Sequence, residues 1–598
     1  MILQALNEHY HRLIEDEKSG VAPPGYSSAK VSHVLVIDEK GNMVDVWQIA
    51  DIKGKKTLPK TLLVPEQVTR TSGVSANILC DNAAYVVGLE RTKHNKVGTS
   101  PEKYADFKKK NILFLTGIQS EEATAVKSFL EKWNPEIALS NPCLMQKLDD
   151  LLGGSNIVFK LDGAMRYVHE APKIRDAWQL RAKDKSDDIT AQCLITGDIL
   201  PIARIHPLVK GVVGAQTSGA AVVSFNADAF TSYGKSQSFN APVSKKAAFA
   251  YATALNYLIA STTNRVRISD TTIVFWADKK GGKAEETALA WSLDPVLVTS
   301  AEDAEKRHLD YSAVRQAKTI LERAKSGVLV KDAVFDPGTR CYLLGLAPNA
   351  ARLSVRFWQV SNFGEVLGKI AQHYKDMEII GIRRFGGMIP PWQVLKAIAV
   401  QEDTKNIPPL LGGQFIKSIL SGQMYPKTMY NLALNRCRTG GEHGGVTIIR
   451  AALIKAFLAR NFRIQGQTER EAMITVGLND DNANTAYQLG RLFSLLEKVQ
   501  KDALGNQINA TIRDRYFGAA SATPASVFPL LLRLSRHHIA KSEYGNSSDR
   551  KIQDVMNRLD VFPSHLNLED QGQFILGYYH QNQANYAKNE INQEEKKG

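Results

Sequence analysis

The sequence predicts an α+β protein, a mixed α/β N-terminal domain followed by a C-terminal helical bundle. Three observations predict it. Val31–Ile37 (VSHVLVI) and Met43–Ile49 (MVDVWQI) are β-rich runs that flank the polar turn Asp38–Asn42, as in a hairpin. From about Pro391 onward apolar residues recur at helical spacing and strand signals fade. At 598 residues the chain exceeds the size at which one hydrophobic core stops growing, so several domains are expected.

A short helix opens the chain ahead of the hairpin. Val222–Phe225 and Thr271–Ala277 (TTIVFWA) read as further strands, with Ser244–Ala260 as a helix between them. Later, Val446–Phe462 places Leu453, Ile454, Phe457 and Leu458 on a stripe opposite Lys455, Arg460 and Arg463. Ala486–Leu504 repeats the pattern with Leu489, Leu492, Phe493, Leu496 and Ala503. These readings divide the chain into a mixed α/β domain (1–360), a helical connecting region (361–470) and a helical bundle (471–598). Glycine-rich turns at Thr439–Gly441 and Gly466–Thr468 serve as breaks, and the tail from Asn589 is expected to fray.

The chain carries 75 Lys and Arg against 61 Asp and Glu, a formal charge of +14, which favours a polyanionic partner. Residues 473–598 hold as many acids as bases, so the whole excess lies in residues 1–472. A generally soluble basic protein is the bland alternative. The cysteines, 5 in number, stand far apart without a C-x-x-C pair, as buried thiols of a reducing cytoplasm do. The N-terminal MILQALNEHYHRLIEDE lacks a basic head followed by an apolar run, so neither export nor a membrane span is expected.

Reactive constellations are scarce. No phosphate loop, dinucleotide fingerprint, H-E-x-x-H or G-x-S-x-G motif occurs, and the one adjacent histidine pair, His537-His538, follows a packed helical run. The reading is therefore of a non-enzyme with no cofactor and no metal. A metal-dependent nuclease with an unrecognised active site is the alternative, since many sites assemble from distant residues.

Binding features are denser. Lys210–Ala220 (KGVVGAQTSGA) combines three glycines, which let backbone approach a ligand, with the donors and acceptors of Gln216, Thr217 and Ser218. The same residues also suit a loop that merely turns the chain. Ser224-Phe225-Asn226 and Ser232–Asn240 (SYGKSQSFN) add a lysine, amides and aromatics. A second polar patch runs from Ser72 through Asn77 to Asp81-Asn82, trailed by Arg91, Lys93, His94 and Lys96. Lys103 through Lys110 reads as a solvated helix face. The DNA-binding candidates are Gly214, Gln216, Thr217 and Ser218 for groove entry, Asn77 for a base edge, and Arg91, Lys93, Lys210 and Lys235 for phosphates.

These segments resemble one family, the Csd-type large subunit of type I-C CRISPR Cascade. The resemblance begins at MILQAL and includes ILCDNAAYVVGL (78–89) and the long block ITGDILPIARIHPLVKGVVGAQTSGAAVVSFNADAFTSYGKSQSFNAPVSKKAAFAYATALNYL (195–258). It resumes at NAARLSVRFW (349–358), IIRAALIKAFLARN (448–461) and AYQLGRLFSLLEKVQ (486–500), and is looser at 95–190 and 278–340. It implies a non-catalytic cytoplasmic subunit that reads the protospacer-adjacent motif in double-stranded DNA and assists duplex opening and R-loop formation. It also implies crRNA-containing backbone subunits and a separate helicase-nuclease as partners, with no membrane association. The C-terminal bundle resembles the small subunit of such complexes, made by internal translation, for which Met473 is the best-placed start.

Overall fold

The computed structural model describes all residues except 17–18, 54–55, 69, 71–72, 93–95, 154, 184–187, 296–310, 329–334, 506–509 and 595–598. The α+β expectation holds. The chain forms two compact units, Met1–Val209 with Val223–Tyr257, and Lys210–Val222 with Leu258–Gly598.

The first unit opens with α1 (Ile2–Ile14) and is built on a six-stranded sheet. Its strands are β1 (Tyr26–Ile37), β2 (Met43–Gln48), β3 (Ala50–Lys53), β4 (Lys56–Pro65), β5 (Cys80–Asp81) and β6 (Asn156–Leu161). The hairpin forms as the sequence predicts, with β1 antiparallel to β2 and β4 along one edge. Along its other edge β1 pairs in parallel with β6. β1 is thus central and apolar on both faces, and the period of two divides its residues. Leu35 and Ile37 join Ile157 and Phe159 of β6 beneath Phe107 of α2 (Pro101–Leu115) and Phe129 of α3 (Glu121–Lys132). Val34, Val36 and Val158 line the opposite face. The unit ends in α4 (Lys245–Ala260), the expected helix, whose Leu258–Ala260 belong to the second unit.

The second unit holds a four-stranded antiparallel sheet in chain order, β7 (Arg265–Ile268), β8 (Thr271–Ala277), β9 (Arg340–Asn349) and β10 (Arg352–Asn362). Phe275, Leu343 and Phe357 face an apolar core shared with Val366, Leu367 and Ile370 of α5 (Phe363–Met377). Trp276, Tyr342 and Trp358 stack on the other face at 5.1 and 5.6 Å. The expected strand at Val222–Phe225 does not form. Ala221, just ahead of the run, makes an isolated bridge to Arg352, and residues 222–225 themselves pair with no strand.

The chain continues through α6 (Pro391–Ile398), α7 (Leu411–Ser421), α8 (Lys427–Arg438) and α9 (Ile448–Ile464). It closes with α10 (Thr485–Leu504), α11 (Ile512–Ala520), α12 (Pro524–Lys541), α13 (Gly545–Met556) and α14 (Leu568–Glu594). The last helix runs on through Asn589, where the sequence suggests fraying. Segments 361–470 and 471–598 lie in one unit and share one core, since Phe493 and Phe574 of the bundle belong to the same cluster as Phe415 and Phe457. α10 and α14 cross at two glycines: a Cβ on Gly490 would meet the Phe574 carbonyl at 1.9 Å, and one on Gly577 the Tyr487 carbonyl at 2.0 Å.

Lys455 and Arg460, placed by the helical wheel on the polar side of α9, are buried at 4% and 2% exposure. Their counter-charge comes from α5. Asp376 receives Arg460 Nε at 3.2 Å and Arg463 Nη2 at 2.7 Å, and its carbonyl accepts from Lys455 Nζ at 3.0 Å.

Two buried histidines make the fold acid-sensitive. His206 accepts or donates at Tyr251 Oη (2.6 Å), His580 at Tyr487 Oη (3.0 Å), and burial holds each down at about 4. Unfolded, each titrates near 6.5, so above that pH neither state binds the proton and no penalty arises. Below it only the unfolded chain takes up the proton. Stability is expected to fall by about 1.4 kcal/mol per histidine per pH unit from pH 6.5 towards 4. Thermal melts at pH 7 and pH 5 measure the loss, and His206→Gln and His580→Gln should each flatten it.

Candidate nucleic-acid interface

The glycine-rich loop, residues 210–222, lies in the second unit and is anchored at both ends. Val212 and Ala220 are buried, and Ala221 exchanges backbone hydrogen bonds with the turn leading into β10, to Ala351 O (3.0 Å) and from Leu353 N (2.9 Å). Arg267 Nη2 donates to Gly211 O at 3.2 Å. Gly214 has φ +78°, and a Cβ there would come within 3.1 Å of the Pro348 ring, so a side chain would be both strained and crowded. The crown between these anchors, Gln216, Thr217 and Ser218, is exposed, and so is Lys210. Glycines fix the path and the polar groups face outward.

The first unit carries a second exposed segment, Asn226–Ser236. Its tip is the turn Ser232–Lys235, closed by Lys235 N donating to Ser232 O at 2.9 Å. Tyr233 (φ 52°) and Gly234 (φ 68°) both take left-handed backbone, as the centre of a type I′ turn demands. Glycine does this at no cost, whereas a tyrosine there stores about 1–3 kcal/mol. Asn240 over-determines the strained turn: its Oδ1 accepts from Ser232 N, and its Nδ2 donates to Lys235 O and Gln237 O, each at 2.8 Å. Tyr233 is thereby held 98% exposed, with Lys235 exposed beside it. Sequence reading noticed the aromatics here but singled out only the lysine. The Tyr-Gly pair ahead of a clamping asparagine is the signal for the displayed ring.

The Asn77 patch has a different character. Asn77 is 4% exposed, and its Oδ1 accepts from Val68 N at 2.8 Å. Its backbone N–H donates to Asp81 Oδ2 (2.9 Å), while its carbonyl accepts from Asn111 Nδ2 (3.1 Å). Arg70 binds Asp81 and lies 4.0 Å over the Tyr85 ring. The amide assigned to a base edge therefore closes a buried loop in this conformation. Arg91 is exposed and donates to Asp149 Oδ1 at 2.5 Å, a surface pair. Lys93 lies outside the described residues. In the lysine cluster, Lys103 pairs with Glu90 and Lys110 with Asp106, as a solvated helix face would.

The structure thus brings Lys210, Gly214, Gln216, Thr217 and Ser218 together on one anchored loop. Lys235 stands on the exposed turn of the first unit, and Asn77 and Arg91 are engaged elsewhere. Among the described residues, no three His, Cys, Asp or Glu side chains are grouped so as to hold a metal ion. None of the described helices is long and apolar enough to cross a membrane.

Comparison with known families places the chain among the CRISPR-associated proteins. It belongs to the Csd1 family, described as CRISPR-associated protein (Cas_Csd1), whose model matches residues 6–586. No curated protein matches it at significant similarity.

Proposed function

We propose that the chain is the non-catalytic large subunit of a type I-C Cascade surveillance complex. In this reading it recognises the protospacer-adjacent motif in double-stranded DNA and assists duplex opening and R-loop formation. Guide RNA on crRNA-containing backbone subunits then reads the target, and a separate helicase-nuclease is recruited in the cytoplasm. The observation that carries the reading is the family match across residues 6–586. An anchored loop with an exposed amide and hydroxyl crown supports it, since base edges are read by such groups. The excess positive charge supports it too, because each neutralised phosphate releases counterions. Gln216, Thr217 and Ser218 are assigned to the groove on the backbone path set by Gly214, with Lys210, Lys235 and Arg91 on phosphates. The Arg91–Asp149 pair is exposed and exchanges readily, as such pairs contribute little.

The test is binding of assembled crRNA complexes to matched duplexes that differ only in the flanking motif. Equal affinity for the two would leave a scaffold without base preference, and cleavage by the purified chain with a divalent metal would establish the nuclease alternative. Lys235→Ala is expected to weaken all targets alike and to reduce the salt slope of log K by about one unit. A change confined to one flanking motif would make Lys235 a reader instead.

Residues 471–598 are proposed as the part resembling the family's small subunit, with internal translation starting near Met473. Met473 is 40% exposed at the end of a short helix (Thr468–Ala472), just ahead of α10. Intact-mass analysis of the purified complex should show a species of residues 473–598, and Met473→Leu should remove it. Persistence of the species in that variant would move the start elsewhere.

A further inference from the structure

The turn that displays Tyr233 is held more tightly than a surface loop requires. A type I′ turn favours Asn-Gly at its centre, because these residues take left-handed backbone most readily. Here the pair is Tyr-Gly, with Tyr233 at φ 52°. Further along the same segment Gln237 is left-handed too, at φ 49°. Asn240 holds both, since its Nδ2 donates to Lys235 O and to Gln237 O while its Oδ1 accepts from Ser232 N. A second strap comes from Arg204. Its Nη1 donates to Gln237 Oε1 at 2.7 Å, and its carbonyl accepts from Ser238 N at 3.3 Å. Ser238, between the straps, is buried.

None of this stabilises the fold through the tyrosine ring, which is 98% exposed and so gains nothing from burial. A single exposed aromatic on relaxed backbone is ordinary. Strained residues held by surrounding contacts are not, and they gather where a ligand is gripped. The neighbouring side chains indicate the chemistry of that ligand. Lys235 lies in the same turn and Arg204 is bonded to Gln237; both are exposed, and neither enters an ion pair among the described residues. The segment Ser232–Asn240 contains no acid. An exposed aromatic face beside free cations fits a nucleobase and its adjoining phosphates. Within a duplex each base is covered by its neighbours, so the base that offers its face to the ring is an unpaired one.

We propose that Tyr233 stacks on an unpaired base of a DNA strand, with Lys235 and Arg204 holding adjoining phosphates. The role of the ring rests on the nucleic-acid reading of the chain, but not on which loop recognises the flanking motif.

The full-length chain is titrated with a single-stranded oligodeoxynucleotide carrying 2-aminopurine, a base whose fluorescence is quenched by stacking. Wild type should quench the probe as it binds. Tyr233→Asn installs the favoured turn pair, so it should melt no lower than wild type. It should nevertheless bind about 5- to 150-fold more weakly, the usual strength of one base–aromatic stack, and without the quench. Tyr233→Trp should keep both binding and quench. Stacking neutralises no phosphate, so Tyr233→Asn should leave the salt slope of log K unchanged, whereas Arg204→Gln should lower it by about 0.7. Wild-type affinity and quench in Tyr233→Asn would overturn the stack, as would a wild-type chain that does not bind the strand or binds it without quenching. A marked fall in the Tm of Tyr233→Asn would overturn it too, since the ring would then be structural. An unchanged slope in Arg204→Gln would overturn the phosphate contact. Motif discrimination by assembled complexes is measured separately. Absent discrimination with the quench intact overturns the motif reading alone, and an absent quench with discrimination intact overturns the ring alone.

Discussion

Asp376→Ala is expected to destabilise the second unit by about 3–5 kcal/mol, the cost of leaving a buried charge without its partner. The carboxylate is the counter-ion of α9, and its two main partners differ in what they keep. Arg463 is 35% exposed on its side chain and retains Glu471, at 2.6 Å. Arg460 is 3% exposed, and beyond Asp376 it keeps only Ser418 O and Gln423 O, each at 3.3 Å, and the face of the Tyr425 ring at 3.9 Å. The lesion is therefore concentrated on Arg460. Asp376→Asn preserves shape and an oxygen for Gln372 Nε2, which donates to Asp376 Oδ1 at 2.8 Å, but removes the charge, so it should fall only slightly short of alanine. Arg460→Met leaves Asp376 with Arg463 and should cost less. Combining Arg460→Met with Asp376→Asn should recover part of the single-variant loss in a double-mutant cycle by denaturant unfolding. Additive losses would mean that the pair is not coupled and that packing alone holds α9 to α5.

This network marks the limit of what the sequence can disclose. The helix Ile448–Ile464 is legible because its apolar residues recur with the helical period, and the hairpin β1–β2 because polar turn residues separate two β-rich runs. The same wheel places Lys455 and Arg460 at the surface, where charged residues usually lie. Their partner stands 79 and 84 residues upstream, and no local pattern announces it. Asn77 is a related case. An amide that closes a loop and one that reads a base are the same letter, and only Val68 N and Asn111 tell them apart. The Gly214–Ser218 loop is legible in composition but not in its anchors, because the contact with Pro348 and the bond from Arg267 cross long separations. The Thr439–Gly441 turn reads as a domain break, whereas Arg436 and Arg450 both donate to His443 O in the loop that it opens.

Gln216→Ala should reduce discrimination between good and bad flanking motifs by about 1–3 kcal/mol, roughly 5- to 150-fold in relative affinity, if its amide reads a base edge. The variant is informative because the loop does not depend on this side chain for its shape. Gln216 is exposed, and the path is set by Gly211 and Gly214, by Val212 and Ala220 in the core, and by the backbone bonds of Ala221. Folding stability should therefore stay within about 0.5 kcal/mol of wild type. Gly214→Ala is the complementary change, since it keeps the amide and disturbs the path through a φ of +78° and a contact of 3.1 Å with Pro348. It should lose the same discrimination by displacing Gln216. Assembled complexes are titrated at two salt concentrations on both targets. A reader loses affinity only on the good motif and keeps the wild-type salt slope, whereas a phosphate contact weakens both targets and lowers the slope. If Gln216→Ala binds both targets as wild type does, the loop serves to turn the chain. Thr217 and Ser218 would fall with it, and the displayed ring of Tyr233 would become the next residue to replace.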